Sequence, residues 1–336
     1  MRKINFKPVE PFLKSLKSGF ARGSVVFNFL LAAWFLTVLS NSRPALSEQL
    51  ENLPPCWSRA ALNGCAADKE TIPCPAGSRN IPPSRVRPGE IAPPLSPDMT
   101  GSIRSVKLPA GVKLIALTFD LCEVENRISG YDPGIVNYLR SNKVKATFFA
   151  GGKWMRSHPE KTMQLMADPL FEIGNHSWNH GNFRTLDKKE ALNQVLWSQA
   201  QYELLWEELH KRPCFHAGED NTKKIPRVPR LFRFPYGACD HDSLKLLQDL
   251  GLAAIQWDVV TGDPAKGRSA AGIAQTVLKK ARPGSIIICH ANGRGHGTAE
   301  SLPMFVPELR KAGFDFVTLS ELLASGTPVR VPECYE

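Results

Sequence analysis

Leu114-Ile-Ala-Leu-Thr-Phe-Asp120 decides the fold. Its apolar residues suit a strand buried on both faces, and the run ends in a carboxylate. The same design recurs along the chain. Lys145-Ala-Thr-Phe-Phe-Ala150, Phe171-Glu-Ile-Gly174, Leu231-Phe-Arg-Phe234, Ala253–Val260, Ser285-Ile-Ile-Ile-Cys289 and Asp315-Phe-Val-Thr318 read as further strands. Helical spacing between them predicts helices across Asp132–Asn142, His158–Ala167, Leu186–His210, His241–Leu250, Ala270–Ala281 and Leu302–Ala312, with a short one over Ser320–Ala324. Near-continuous apolar strands alternating with helices predict an α/β fold whose parallel sheet is covered on both faces and close to a closed barrel. Residues 211–230 break the rhythm and read as a rim loop.

Chemistry-bearing side chains sit just past the strand ends, where such folds place their sites. Asp120 ends one run, Arg233-Phe-Pro-Tyr236 ends another, and His290 ends a third. After Phe171–Gly174 comes His176-Ser-Trp-Asn-His180. Two histidines four apart can offer imidazole nitrogens to one cation. Each residue also has a plainer role. Asp120 can cap a helix, Arg233 can be a structural ion-pair partner, and His290 can be a satisfied core histidine. Trp154 and Trp178 can pack in the core or stack on sugar.

The chain of 336 residues carries a net charge of +10, with 43% hydrophobic and 22% charged residues. Residues 1–47 hold seven Lys/Arg against the single acid Glu10, so most of the excess lies there. No basic run with interleaved aromatics follows, which excludes nucleic acid as a partner. The basic stretch precedes an apolar core, Val25–Leu39, of 15 residues, and then Ala45-Leu46-Ser47. That order predicts a signal peptide cleaved near Ser47, or an uncleaved membrane anchor. Either way the body is expected to be exported, periplasmic or extracellular. All eight cysteines lie beyond the leader, an even number that suggests disulfides in an exported chain. Residues 48–110 are rich in Pro, Ser and Gly, and read as an extended, partly cysteine-tied arm leading into a domain over 111–336.

Thr118-Phe-Asp120, His176-Ser-Trp-Asn-His180, Arg233-Phe-Pro-Tyr236, Trp257 to Asp263 and Ile288-Cys-His290 occur in the order of five motifs. With them the chain resembles the polysaccharide deacetylases, carbohydrate esterases of the NodB-homology type, over roughly residues 110–325. The resemblance implies a distorted (β/α) barrel of about seven parallel strands and a divalent metal, zinc foremost. It implies hydrolysis of the N-acetyl amide of a glycan. By resemblance Asp120 is the general base, and His176 and His180 are metal ligands. Arg233 holds the base, the Tyr236 backbone N–H helps stabilise the oxyanion, His290 is the general acid, and Ile288 lines the acetyl-methyl pocket.

Two motifs depart from the family form. The usual first motif is Thr-Phe-Asp-Asp, whose second Asp binds metal; here Leu121-Cys122-Glu123 follows Asp120. Glu123 is the favoured third ligand, with Asp120 itself, water or a Cys122 thiolate as alternatives. In the fourth motif the usual first Asp aligns with Val260, which leaves Asp258 or Asp263 to orient His290. Three functions compete: a metal-dependent glycan deacetylase, a catalytically silent carbohydrate-binding protein on the same barrel, and an amidase acting on a non-sugar amide.

Overall fold

The computed structural model describes residues 56–75, 81–216 and 225–335. The predicted leader, residues 1–47, lies outside the described residues. Twelve strands appear: β1 (Ile72–Pro73), β2 (Ser102–Lys107), β3 (Leu114–Leu121), β4 (Arg127–Ile128), β5 (Ala146–Ala150), β6 (Phe171–Asn175), β7 (Leu231–Phe232), β8 (Ala253–Ile255), β9 (Val259–Val260), β10 (Ile286–His290), β11 (Asp315–Val317) and β12 (Thr327–Val331). Helices of six residues or more are α1 (Pro133–Ser141), α2 (Gly152–Ser157), α3 (Pro159–Ala167), α4 (Lys188–His210), α5 (His241–Asp249), α6 (Ala270–Lys280), α7 (Thr298–Lys311) and α8 (Leu319–Ala324). Among the described residues, no helix is long and apolar enough to cross a membrane.

The main sheet runs in the order β12-β2-β8-β7-β6-β5-β3-β10-β9, with β11 beside the start of β3. Every pairing in it is parallel except that of β12 with β2. β3 lies deepest: seven of its eight residues are buried, as its unbroken apolar sequence requires. The sheet curls until its flanks meet. Val106 N–H donates to the Gly284 carbonyl at 2.9 Å, and Ser105 bridges Ser285. Inside the curl, Ile103, Val106, Ala116, Phe149, Ile255 and Ile286 form one apolar cluster. This is the distorted barrel, with helices packed outside it.

Two expectations are corrected. The sheet has ten strands, more than the seven read from sequence. β2 was assigned to the arm, and β12 was missed; both are edge elements with mixed polar content. Ala253–Val260 is not one strand. It breaks after Ile255, where Gln256 N–H turns to the Ile103 carbonyl at 2.7 Å. The helix expected over His158–Ala167 is present as α3, and a separate short helix, α2, precedes it, parted from it at His158 because Pro159 starts a new first turn.

Nor is the arm an extended tether in its described parts. A Cys56–Cys214 disulfide ties it down, and Trp57 Nε1 donates to Glu160 at 2.8 Å. Glu203 on α4 is wholly buried and gathers Arg85 Nη2 at 2.7 Å, Gly89 N–H at 2.6 Å and Arg227 Nε at 2.5 Å. Burial pushes this carboxyl up, but those three donors outweigh it and hold it below its ordinary value. A second disulfide, Cys239–Cys334, fastens the segment after β12 beside the turn that follows β7.

The seam between β2 and β10 yields a prediction. Gly284 has φ 86°, and a Cβ there would lie 1.7 Å from the Val106 carbonyl oxygen. Gly284→Ala is expected to lose more than the roughly 1–3 kcal/mol of a strained left-handed residue, because the seam must also open. Urea unfolding of the variant against the parent checks this.

Candidate active site

Asp120 stands near the end of β3, with His290 on β10 and Phe149 on β5 as its cross-strand neighbours. Parallel register therefore sets the acid and the imidazole side by side on one rim, roughly 4.8 Å apart at the backbone. Asp120 is 4% exposed and Arg233 fully buried, and Arg233 Nη1 donates to Asp120 Oδ1 at 2.8 Å. Arg233 leaves the end of β7, its N–H bonded to the Asn175 carbonyl at 2.9 Å. Its guanidinium lies over the Phe149 ring at 4.1 Å and faces the carbonyls of Ile255 and Gln256. Burial alone would push the Asp120 carboxyl up. The charge of Arg233, followed by His176 and His290, outweighs that and holds it below the ordinary range. It is therefore ionised at neutral pH.

His176 follows β6 and is 1% exposed. Its Nδ1 lies 2.8 Å from the Arg233 carbonyl oxygen, which can only accept, so Nδ1 carries the proton. Nε2 is left with a lone pair, 3.6 Å from Asp120 Oδ2 and without a hydrogen-bond partner. His180 has φ 64°, held by Ser177 Oγ accepting from its backbone N–H at 3.1 Å. Its Nδ1 is likewise buried and unpartnered. The two rings lie 5.1 Å apart. Burial lowers both imidazoles, and His176 lowers His180 further, so both are neutral. Buried polar atoms are rarely left unpaired. Two neutral imidazole nitrogens left bare beside an ionised carboxylate fit a divalent cation.

The structure brings together Asp120, Arg233, His176 and His180 as expected, but not Glu123. That expectation is corrected. Glu123 Oε2 accepts from Ser129 N–H at 3.1 Å and Oε1 from Ser157 Oγ at 2.8 Å. The side chain that joins the histidines is Cys122, whose Sγ and the two imidazole nitrogens all lie within 4.8 Å of one another. Burial, then the Asp120 charge, pushes its thiol up to about 12. Residues two apart on a strand share a face, so Asp120 and Cys122 point the same way and Leu121 the other. That alternation was the signal in the sequence.

The choice between Asp258 and Asp263 is resolved. Asp263 Oδ1 lies 3.0 Å from His290 Nδ1, and its Oδ2 accepts from the His290 N–H at 2.7 Å and from Thr298 Oγ1 at 2.7 Å. Asp258 instead takes the Ile286 N–H and Ser285 Oγ, each at 2.8 Å. Burial pushes the His290 imidazole down, but the hydrogen bond and charge of Asp263 outweigh it and raise it above its ordinary value. Asp120, Cys122, His180, Tyr236, Ile288 and His290 all line one cavity of about 300 Å³. Trp257, the first residue of the fourth motif, also lines it, as does Arg294, which the sequence did not single out. Tyr236, at φ 61°, sets its ring 4.4 Å from His180 at the mouth. Trp154 and Trp178 are fully buried, which is the core role.

Comparison with known proteins matches residues 107–214 to the polysaccharide deacetylase model. A peptidoglycan-N-acetylglucosamine deacetylase from Bacillus cereus is 31% identical over 210 residues, covering 62% of this chain and 67% of that protein. The chain belongs to the polysaccharide deacetylase family. A second polysaccharide deacetylase, the peptidoglycan-N-acetylglucosamine deacetylase of Listeria monocytogenes, is 30% identical over 67% of this chain, which spans 44% of that relative's length. Among solved structures, a CE4 family pseudoenzyme from Bacillus anthracis superposes with a TM-score of 0.55 at 26% identity, over 68% of this chain and 70% of that one. Its fold is that of this deacetylase-family chain.

The ion pair at the site makes a prediction about stability. Removing one member of a buried pair costs about 3–5 kcal/mol, and Arg233→Met is expected to lose that much near neutral pH. In the parent the Asp120 carboxyl lies below its ordinary 3.8, so its contribution is present above that value and is lost only on deeper acidification. In the variant the largest charge opposing burial is gone, so the carboxyl rises. Its penalty therefore shrinks as pH falls toward about 4.5, while the parent stays level. Denaturant unfolding at both pH values measures the difference.

Proposed function

We propose that the protein hydrolyses the N-acetyl amide of a glycan, of the peptidoglycan or chitooligosaccharide type. One observation carries the reading: a single cavity holds a carboxylate kept ionised by Arg233 and an imidazole whose affinity for a proton is raised by Asp263. An acetamide is a poor electrophile, and its amine leaves only when protonated. The reaction needs a base and an acid poised in opposite states at one pH.

Asp120 Oδ1 is committed to Arg233, which leaves Oδ2, the oxygen facing His176, to take a proton from the attacking water. His290 has Nδ1 committed to Asp263, so Nε2 is the atom that delivers a proton to the departing nitrogen. The Tyr236 backbone N–H serves as oxyanion donor at the cavity mouth, and Ile288 walls the acetyl methyl. His176 and His180 would hold a divalent cation, zinc being well suited to imidazole. Bound there, such an ion polarises the acetyl carbonyl and lowers the pKa of water. The glycan class is supported by the relatives' names as peptidoglycan deacetylases. The leader read in residues 1–47 would carry the domain to a compartment where such glycans lie, with the uncleaved form anchoring it to the membrane.

A second reading, a silent glycan-binding protein, is favoured by Leu121. This fully buried side chain stands where the family motif has a carboxylate, and a solved structural neighbour is described as a pseudoenzyme. Acetate release separates the two. The protein is expected to liberate acetate from N-acetylglucosamine oligomers or peptidoglycan, and Asp120→Asn to slow this by about 10²–10⁴-fold. Glycan binding without any acetate would establish the silent reading instead.

A pH profile tests the acid separately. His290 must be protonated, so the rate falls as pH rises through its raised value. Asp263→Asn removes what raises it. The alkaline limb is therefore expected to move to lower pH, with the acid limb, set by Asp120, unmoved.

A further inference from the structure

We infer that Cys122, as a thiolate, is the third protein ligand of a Cys–His–His centre with His176 and His180, replacing the carboxylate of the usual first motif. The inference rests on the deacetylase reading for the purpose of the site, but not for its geometry. The three donor atoms lie within 4.8 Å of one another, within reach of one ion. Each of the two histidines carries a buried ring nitrogen, His176 Nε2 and His180 Nδ1, with no hydrogen-bond partner among the described residues. Of the carboxylates nearby, Glu123 is engaged at both oxygens, by Ser129 and Ser157, and Asp120 at one, by Arg233, its Oδ2 being the oxygen assigned to the attacking water. Leu121 offers no donor atom and is fully buried.

One contact of the sulfur also suits an anion. Asn292 is fully buried, and its Nδ2 donates both to Cys122 Sγ at 3.0 Å and to the Cys122 carbonyl at 2.8 Å. A hydrogen bond to a charged acceptor is roughly twice as strong as one to a neutral acceptor, so this amide gains most when the sulfur is ionised. It orients the ligand as an outer partner does in other metal sites. A divalent ion ionises a coordinating thiol outright, expelling its proton to solvent and reversing the effect of burial. One thiolate and two imidazoles form a softer set than one carboxylate and two imidazoles. The centre should therefore select zinc or cobalt over magnesium, calcium or manganese.

Cobalt(II) added to the full chain tests this by absorption. One bound cobalt with a thiolate-to-cobalt charge-transfer band in the near ultraviolet is expected. Cys122→Ser should lose the band and bind zinc more weakly by more than the roughly 10–100-fold that loss of an outer partner costs. Cys122→Asp should restore affinity without the band and admit harder ions. Should Cys122→Ser fail to fold, Asn292→Ala is expected to weaken zinc about 10–100-fold and shift the band. Stoichiometric cobalt without the sulfur band, or equal zinc affinity in the parent and Cys122→Ser, overturns the inference. Acetate release without the band sinks cysteine ligation alone. The band without acetate release upholds the ligation and sinks the hydrolytic reading.

Discussion

An ionised carboxylate inside a barrel costs several kcal/mol in lost hydration unless a cation is delivered to it. Here the cation comes from three strands away. Asp120 sits on β3, and Arg233 reaches it from the end of β7, across β5 and β6. Much of the rim follows from that delivery. β7 stops at Phe232 so that Arg233 can turn inward, and the Arg233 carbonyl then accepts from His176 Nδ1. One residue thus uses its side chain to keep the base charged and its backbone to aim an imidazole lone pair at the same space.

The opposite wall works by the reverse logic. His290 is a strand neighbour of Asp120, yet its own partner, Asp263, raises its hold on a proton. Two titratable groups on adjacent strands are pushed apart in acidity by different companions, which is how one site can hold both an acid and a base. The barrel supplies the proximity, and the loops after β7 and β9 supply the difference.

The interior of the fold was legible because buried parallel strands are unbroken apolar runs, and Leu114–Phe119 or Ile286–Cys289 read as little else. β2 and β12 were not, because Ser102–Lys107 and Thr327–Val331 carry polar residues and pair with each other from opposite ends of the domain's sequence. The histidines, Asp120, Arg233 and His290 were legible from position and resemblance. Two details were hidden for different reasons. Glu123 looked like the natural substitute for a missing carboxylate by residue type, but strand alternation decided for Cys122. Asp263 was indistinguishable from Asp258 while Ala253–Val260 was read as one strand. The break at Gln256 turns Asp258 toward β10's start and leaves Asp263 beneath the imidazole.

The cavity wall at Trp257 is not held by the barrel alone. Tyr335 stacks on Trp257 at 4.9 Å and is itself covered by Arg104, 4.0 Å from the ring centre. Its neighbour Cys334 is the half-cystine that pairs with Cys239, three residues beyond Tyr236. A single sulfur–sulfur bond therefore joins the segment bearing the aromatic panel to the turn bearing Tyr236. Reduction would cut that brace without touching a strand pairing, and neither half-cystine lines the cavity.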